Sequence, residues 1–274
     1  MIKTFVKLVI PARLWNKVRL ARQRKLLLSF KKYQINRNIA GHDLKIQIAD
    51  PLGKGWYDQD WEKLPEVEFL KKYTLKPGAK VFDLGAHQGV VALVLGKEVS
   101  PGGKVIALEA NLHNSSIAIE NVKLNKAEAC VNIVHAAISN EMGEIVFNEG
   151  LNGKVDDGQG EWGQVKTKAL TIDHLCEVYG TPDLIFLDVE GFEMNAMNGA
   201  SKSFNLIPSW FIEVHSDYQL QSFGSKPEEV LARFPKDLYK LFVSNDNAKT
   251  FVSYEEKLHL EFIQKRFFLI ALKR

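Results

Sequence analysis

The first 42 residues of this 274-residue chain contain no aspartate or glutamate. They carry eleven lysines and arginines, from Lys3 to Arg37. The remainder therefore holds 25 basic side chains against 33 acidic ones, a net charge of −8. An acidic body argues against a nucleic-acid enzyme, whose working face is basic. Cysteine is scarce. Cys130 and Cys176 are too few for a disulfide framework, and their spacing matches no metal knuckle. They read as small buried hydrophobes in a reducing, cytoplasmic setting. No apolar run approaches the ~18–20 residues needed to span a bilayer. Internal repeats, low-complexity tracts and an HExxH-type metal motif are also missing. What is present, 46% hydrophobic and 25% charged residues, suits one large globular domain with an extension.

The extension is residues 1–32. Ile2, Phe5, Val6, Val9 and Ile10 share one helical face, Pro11 interrupts, and Leu14, Trp15 and Val18 resume the pattern before a basic cluster. Three readings stand: peripheral contact with an anionic membrane surface, a helical arm packed on the body or on a second copy, and a targeting peptide.

From about residue 43 the chain alternates strands and helices. Leu44, Ile46 and Ile48 mark a strand, 60–73 a helix, and Lys80–Leu84 a short buried strand followed by a helix over 89–99. The alternation continues with a strand at Val105–Leu108, a helix over 112–126 and a strand at Val131–Ala136. Glu144–Phe147 and Gln164–Lys168 are short strands around a glycine-rich loop, read either as a substrate lid or as a hairpin tip. A helix at Thr171–Tyr179, a strand at Leu184–Leu187, a helix over 193–206 and a strand at Trp210–Val214 follow. Pro227–Phe234 is helical, and strands Tyr239–Val243 and Phe267–Leu272 close the chain. Strand–helix alternation predicts a parallel sheet covered on both faces.

The chemistry centres on Val81-Phe82-Asp83-Leu84-Gly85-Ala86-His87-Gln88-Gly89. A strand delivers Asp83 to its carboxyl end, where open α/β sheets bind ligands. Gly85 and Gly89 let the backbone turn and approach a ligand closely. A dinucleotide site wants a different glycine spacing and room for a pyrophosphate, which Asp83 would repel. Glu109 ends the next strand, where a carboxylate accepts hydrogen bonds from a ribose diol. Two acids without a phosphate cradle fit S-adenosylmethionine better than a nicotinamide dinucleotide.

With these residues in view, the chain resembles a class I methyltransferase, and within that class the FkbM family. The resemblance rests on Val81–Gly89, Ala107-Leu108-Glu109-Ala110-Asn111, Thr171-Ile172-Asp173-His174-Leu175, and the Asp188-Val189-Glu190-Gly191-Phe192-Glu193 run after a strand. It covers residues 60–215 well. It implies a Rossmann-like fold, a seven-stranded, mostly parallel sheet with a reversed last strand and helices on both faces, in a methyltransferase domain spanning 33–274. It also implies S-adenosylmethionine as cofactor, bound by Asp83, Gly85, Ala86, His87, Gly89, Glu109, Ser139 and Asp188. The acceptor it implies is a hydroxyl on a small molecule, glycan or lipid-linked sugar. The family's first loop commonly reads Gly-Ala-Asn. His87 replaces that Asn, and a charged imidazole would repel a sulfonium, so His87 is expected neutral or turned away.

A hydroxyl acceptor is a poor nucleophile, which makes a general base useful. His215 is the preferred base because its intrinsic pKa lies near working pH. Asp188 orients the acceptor or the donor's amino group, and Glu190 holds the acceptor or takes the base's place. The plain alternatives are that Glu190 and Glu193 stabilise a helix N-terminus and that His215 is a solvated strand end. No metal is expected. A non-catalytic binding module and a nucleotide-dependent oxidoreductase remain as competing functions.

Overall fold

The computed structural model describes residues 12–155, 163–216, 218–245, 250–254 and 265–274. Helix α1 (Ala12–Ser29) leads into a hairpin, β1 (Tyr33–Ile39) and β2 (His42–Ile48). The two-residue turn Ala40-Gly41 has φ of 51° and 86°, left-handed at both positions, which matches the twist of paired strands. Only β2 is expected from alternation, because the polar Gln34, Asn36, Arg37 and Asn38 mask the β1 pattern. Helix α2 (Pro51–Tyr57) follows, capped by Asp50, whose carboxylate accepts from Gly53 N at 2.8 Å. Gly53 and Gly55 hide α2 from a propensity argument. The missing side chain at Gly53 leaves room for the Gln88 carboxamide.

The helix expected over 60–73 shrinks to α3 (Pro65–Leu70). Pro65 sits in its first turn with Leu64 extended before it, so the helix starts there. Trp61 is drawn instead onto the hairpin, with Trp61 N donating to Asn38 O and Ala40 N to Trp61 O, both at 2.9 Å.

The main sheet comprises β3 (Lys80–Leu84), β4 (Lys104–Glu109), β5 (Val131–His135), β10 (Leu184–Leu187), β11 (Ser209–Val214), β12 (Tyr239–Asn245), β13 (Val252–Ser253) and β14 (Phe267–Lys273). Its order is β5-β4-β3-β10-β11-β14-β12-β13. The first five strands are mutually parallel, and β14 runs antiparallel to both β11 and β12. This is the expected Rossmann-like sheet of seven strands with the last one reversed, plus the two-residue β13 at its edge.

Helices α4 (Val90–Val99) and α5 (Leu112–Leu124) cover one face together with the hairpin. Helices α6 (Ile172–Tyr179), α7 (Glu193–Asn198) and α9 (Pro227–Ala232) cover the other. A fourth short helix in this half, α8 (Tyr218–Ser222), was not expected from the sequence. Residues alternate between the layers: Val81, Val105 and Ala107 pack on the first, Phe82, Ile106 and Leu108 on the second. Each such valine, isoleucine, leucine or phenylalanine contributes about 1.5–3 kcal/mol before entropy is charged against it. Cys130 and Cys176 are half-buried against these cores rather than fully inside them. The helix expected over 193–206 stops at Asn198. Gly199 lies against the Ser139 carbonyl with no room for a side chain, and a 3-10 turn, Phe204–Leu206, follows.

A third sheet, β6 (Ala137–Ile138), β7 (Gly143–Asn148), β8 (Lys154–Val155) and β9 (Gln164–Leu170), has the order β6-β9-β7-β8. The tip of the glycine-rich loop lies outside the described residues. Helix α1 sits beside this sheet: Asn16 Nδ2 donates to Gln164 O at 3.0 Å, and Gln164 N donates to Asn16 Oδ1 at 2.6 Å. Residues 1–11 of the basic extension lie outside the described residues. Among those described, no helix is long and apolar enough to cross a membrane.

Candidate active site

After β3 the chain turns through Gly85 at φ 102°, His87 at φ 49° and Gly89 at φ 76° into α4. A side chain at Gly85 would occupy the position of the Asp188 carbonyl, so glycine is required by close approach as well as by backbone angle. Gly85 N and Ala86 N both donate to Leu108 O, at 3.0 and 2.9 Å, which ties the turn to the end of β4. Gly89 abuts Ala118 of α5.

Glu109 anchors the turn from the other side. Its Oε2 accepts from His87 N at 2.8 Å and its Oε1 from Asn111 N at 2.7 Å. Burial pushes its carboxyl up to about 8. Asp83 is 3% exposed, its Oδ2 has no hydrogen-bond partner among the described residues, and burial pushes it up to about 7. An acid held so far above its ordinary range gains most from a cation placed beside it.

His87 is buried between the loop and α2. Tyr57 Oη donates to Nδ1 at 2.7 Å, and Nε2 faces Leu151 O at 3.3 Å. That pair of contacts fits a neutral ring carrying its proton on Nε2. Burial depresses its pKa to about 4, so the expected neutral His87 is what the environment favours. Trp56 lies 4.8 Å from the imidazole, centroid to centroid. Asp50 locks this corner by accepting from Gln88 Nε2 at 2.6 Å and bonding His113 Nε2 at 2.8 Å.

The linkage consequence is testable. His87 titrates near 6.5 unfolded and near 4 folded, so the unfolded chain binds the extra proton first. Its contribution is fully present above pH 6.5 and is lost as pH falls toward 4, roughly 3 kcal/mol in all. We expect urea unfolding at pH 7 and pH 4.5 to show a larger acid loss in the wild type than in His87→Asn. Asparagine tolerates the positive φ of this position. Equal losses would remove the assignment.

A cleft opens at the carboxyl ends of the parallel strands. Gly85, His87 and Glu109 form one wall, Ala136–Ile138 another, Asn152–Val155 a third, and Asp188–Glu190 the fourth. Asp83, Ala86 and Gly89 shape the loop from behind without lining it. Ser139 does not face the cleft either. Its N donates to Leu170 O at 2.8 Å and its hydroxyl to Asn140 Oδ1 at 3.2 Å, so the wall expected of it falls to Ala136–Ile138. Trp56, Asn114, Phe147, Asn152 and Lys154 also reach the cleft and were missed. They come from α2, α5 and the third sheet, and no local motif marks them.

Beyond Asp188 the backbone adopts φ 53° at Glu190 and 97° at Gly191, strain of the kind held at functional turns. This turn and the end of β11 converge on His215, which is 4% exposed and so not the solvated strand end. His215 Nδ1 bonds Glu193 Oε1 at 2.6 Å. On the other side of the ring, Nε2 faces Glu190 Oε2 and Glu213 Oε1 at 3.6 Å each and Asp188 Oδ1 at 3.9 Å. Glu193 is fully buried and also accepts from Gly191 N at 2.9 Å, so it is more than a helix-end charge. Burial opposes a charged ring. The Glu193 hydrogen bond and the charges of Glu193, Asp188 and Glu190 outweigh it and push His215 up to about 10. Burial and the Glu213 charge raise Asp188 well above the carboxylate range. Asp217 lies outside the described residues.

Residues 83–241, more than half of the chain, match the model of the methyltransferase FkbM domain. The chain belongs to that family. It is an S-adenosylmethionine-dependent methyltransferase. The oxidoreductase reading is thereby set aside. Solved structures similar to this FkbM chain include methyltransferase FkbM from Methylobacillus flagellatus KT, 16% identical over 71% of this chain and 43% of that one, with a TM-score of 0.46. A putative O-methyltransferase from Klebsiella pneumoniae is 13% identical over 99% and 95% of the two chains, TM-score 0.45. A SAM-dependent methyltransferase from Aquifex aeolicus is 16% identical over 82% and 93%, TM-score 0.44. No curated protein matches. The site's residues fit such a donor: Gly85 and Glu109 line the cleft, Asp83 lies just behind it with a buried carboxylate, and acids so placed suit a ligand bearing a sulfonium and an ammonium.

Proposed function

We propose that the enzyme O-methylates a hydroxyl on a small molecule, glycan or lipid-linked sugar. The observation that carries this reading is the carboxylate–imidazole cluster at one wall of the donor cleft. An acceptor that must lose a proton needs such a cluster; a free amine does not. When bound, S-adenosylmethionine supplies an electrophilic methyl group that moves in line to the acceptor oxygen. Gly85 and Glu109 hold the donor's aminoacid and ribose ends. Asp188 and Glu190, which face both the cleft and His215, position the acceptor hydroxyl. A ring drawn up to about 10 carries its proton at neutral pH. His215 is therefore better suited to fix the carboxylates than to serve as the free base, and Glu190 takes the acceptor's proton.

The test is a calorimetric titration with S-adenosylmethionine followed by transfer of a labelled methyl group. Glu109→Ala should weaken donor binding about tenfold or more. The labelled product should carry an alkali-stable ether, formed far more slowly by Glu190→Gln. Label found on nitrogen would overturn the O-methyl reading.

A lipid-linked acceptor gains support from α1, which is seated on Gln164 while Leu14, Val18 and Leu28 stand exposed among Lys17, Arg24 and Lys25. The full chain is expected to float with anionic vesicles and not with neutral ones. Failure to float with either would leave a soluble acceptor.

A further inference from the structure

His215 is held in a way that its buried surroundings do not require. Glu193 takes Nδ1, and Gly191 N fixes Glu193 in turn. The opposite nitrogen, in a side chain 5% exposed, faces three carboxylates at 3.6–3.9 Å. Among the described residues, Asp188 Oδ1 is buried as an atom and has no hydrogen-bond partner. A carboxylate behind one ring nitrogen and a carboxylate set before the other is the arrangement of a metal-binding histidine. Asp188, Glu213 and His215 each offer one atom, and these atoms lie within 4.8 Å of one another, a spread that one cation bridges.

We propose that Asp188, Glu213 and His215 bind a divalent first-row transition metal at the acceptor end of the cleft, with Glu193 orienting His215 from behind. The role assigned to the ion rests on the O-methylation reading above. Mixed carboxylate and imidazole donors suit manganese, iron or zinc better than calcium or magnesium. The ion takes the place of the proton that Nε2 carries in the metal-free chain, and that proton leaves to solvent. Arg266 Nη1 bonds Glu213 Oε1 at 2.9 Å, and its side chain, 46% exposed, has room to turn to solvent as the ion arrives. Asp188 also lines the donor cleft, so the ion would stand between donor and acceptor. A hydroxyl drawn to it becomes more acidic. The proton passes to Glu190, the oxygen forms its bond to the methyl carbon, and the carbon–sulfur bond breaks with its electrons staying on sulfur.

The experiment is a titration of the chelator-stripped full chain with Mn²⁺, read by electron paramagnetic resonance, beside a calorimetric titration with S-adenosylmethionine. One Mn²⁺ should bind per chain, and His215→Ala and Asp188→Asn should each weaken it about tenfold or more. Asp188→Asn keeps shape and serves if the His215 variant does not fold. A chain that binds donor but shows no saturable Mn²⁺ up to about 1 mM overturns the metal site and leaves the methyltransfer reading intact. Mn²⁺ binding unchanged in both variants also overturns it. Metal bound at this site with no alkali-stable ether formed would sink the O-methyl reading and keep the site.

Discussion

Gly85→Ala is expected to abolish donor binding and to cost about 3 kcal/mol or more of stability. Two penalties combine. Alanine at φ 102° is strained, and its methyl group would claim the space of the Asp188 carbonyl. The backbone must then separate β3 from the turn after β10, and both walls of the cleft move with it. The amides of Gly85 and Ala86 also lose their hold on Leu108 O. Calorimetry with S-adenosylmethionine and urea unfolding check the two halves of this expectation. An alanine variant that binds donor as the wild type does would show that the loop has slack which its packing denies. Gly78→Ala is the control: φ is 91° there, but none of the described residues lies within reach of a new methyl group, so only the backbone penalty should appear.

The second large effect is expected at Glu193. Its carboxylate is fully buried and carries two bonds, to His215 Nδ1 and to Gly191 N. Glu193→Ala leaves a buried imidazolium short of its closest counter-charge and frees the strained turn at Glu190. A loss of roughly 3 kcal/mol is expected in urea unfolding. Glu193→Gln retains an oxygen for Gly191 N and should recover much of that stability. It should nevertheless turn over about 10–100-fold more slowly, because His215 and the facing carboxylates are no longer held in register. Donor affinity should stay near the wild-type value, since Glu193 does not line the cleft. Equal activity in the glutamine variant would mean that the cluster is structural only.

Much of the main sheet was legible because its signals are local. Short apolar runs such as Lys80–Leu84 and Leu184–Leu187, each ending in glycine or acid, mark buried parallel strands. The same punctuation marks the edge of the sheet where the cleft opens, since Asp83, Gly85 and Glu109 sit where strands end. Helix ends were read less well. Pro65 began α3 late, and Gly199 closed α7 early because another chain segment occupied the space beside it.

His215 illustrates the limit. The sequence places it at a strand end beside the Asp188 turn, and adjacency of β10 and β11 brings the two together as expected. Its preferred role as base rests on the ordinary imidazole pKa, and four surrounding carboxylates change that value. The α/β alternation, a glycine-and-acid loop at the carboxyl edge of the sheet and the kind of donor were legible in the sequence alone, through side-chain period and the turn chemistry of glycine beside acid. The tertiary structure alone decided that Trp56 and Tyr57 close over His87, that the third sheet walls the cleft, and that Glu193 lies behind His215. Those contacts join segments many residues apart, and their energies depend on burial and on charge at a few ångströms, which no local pattern encodes.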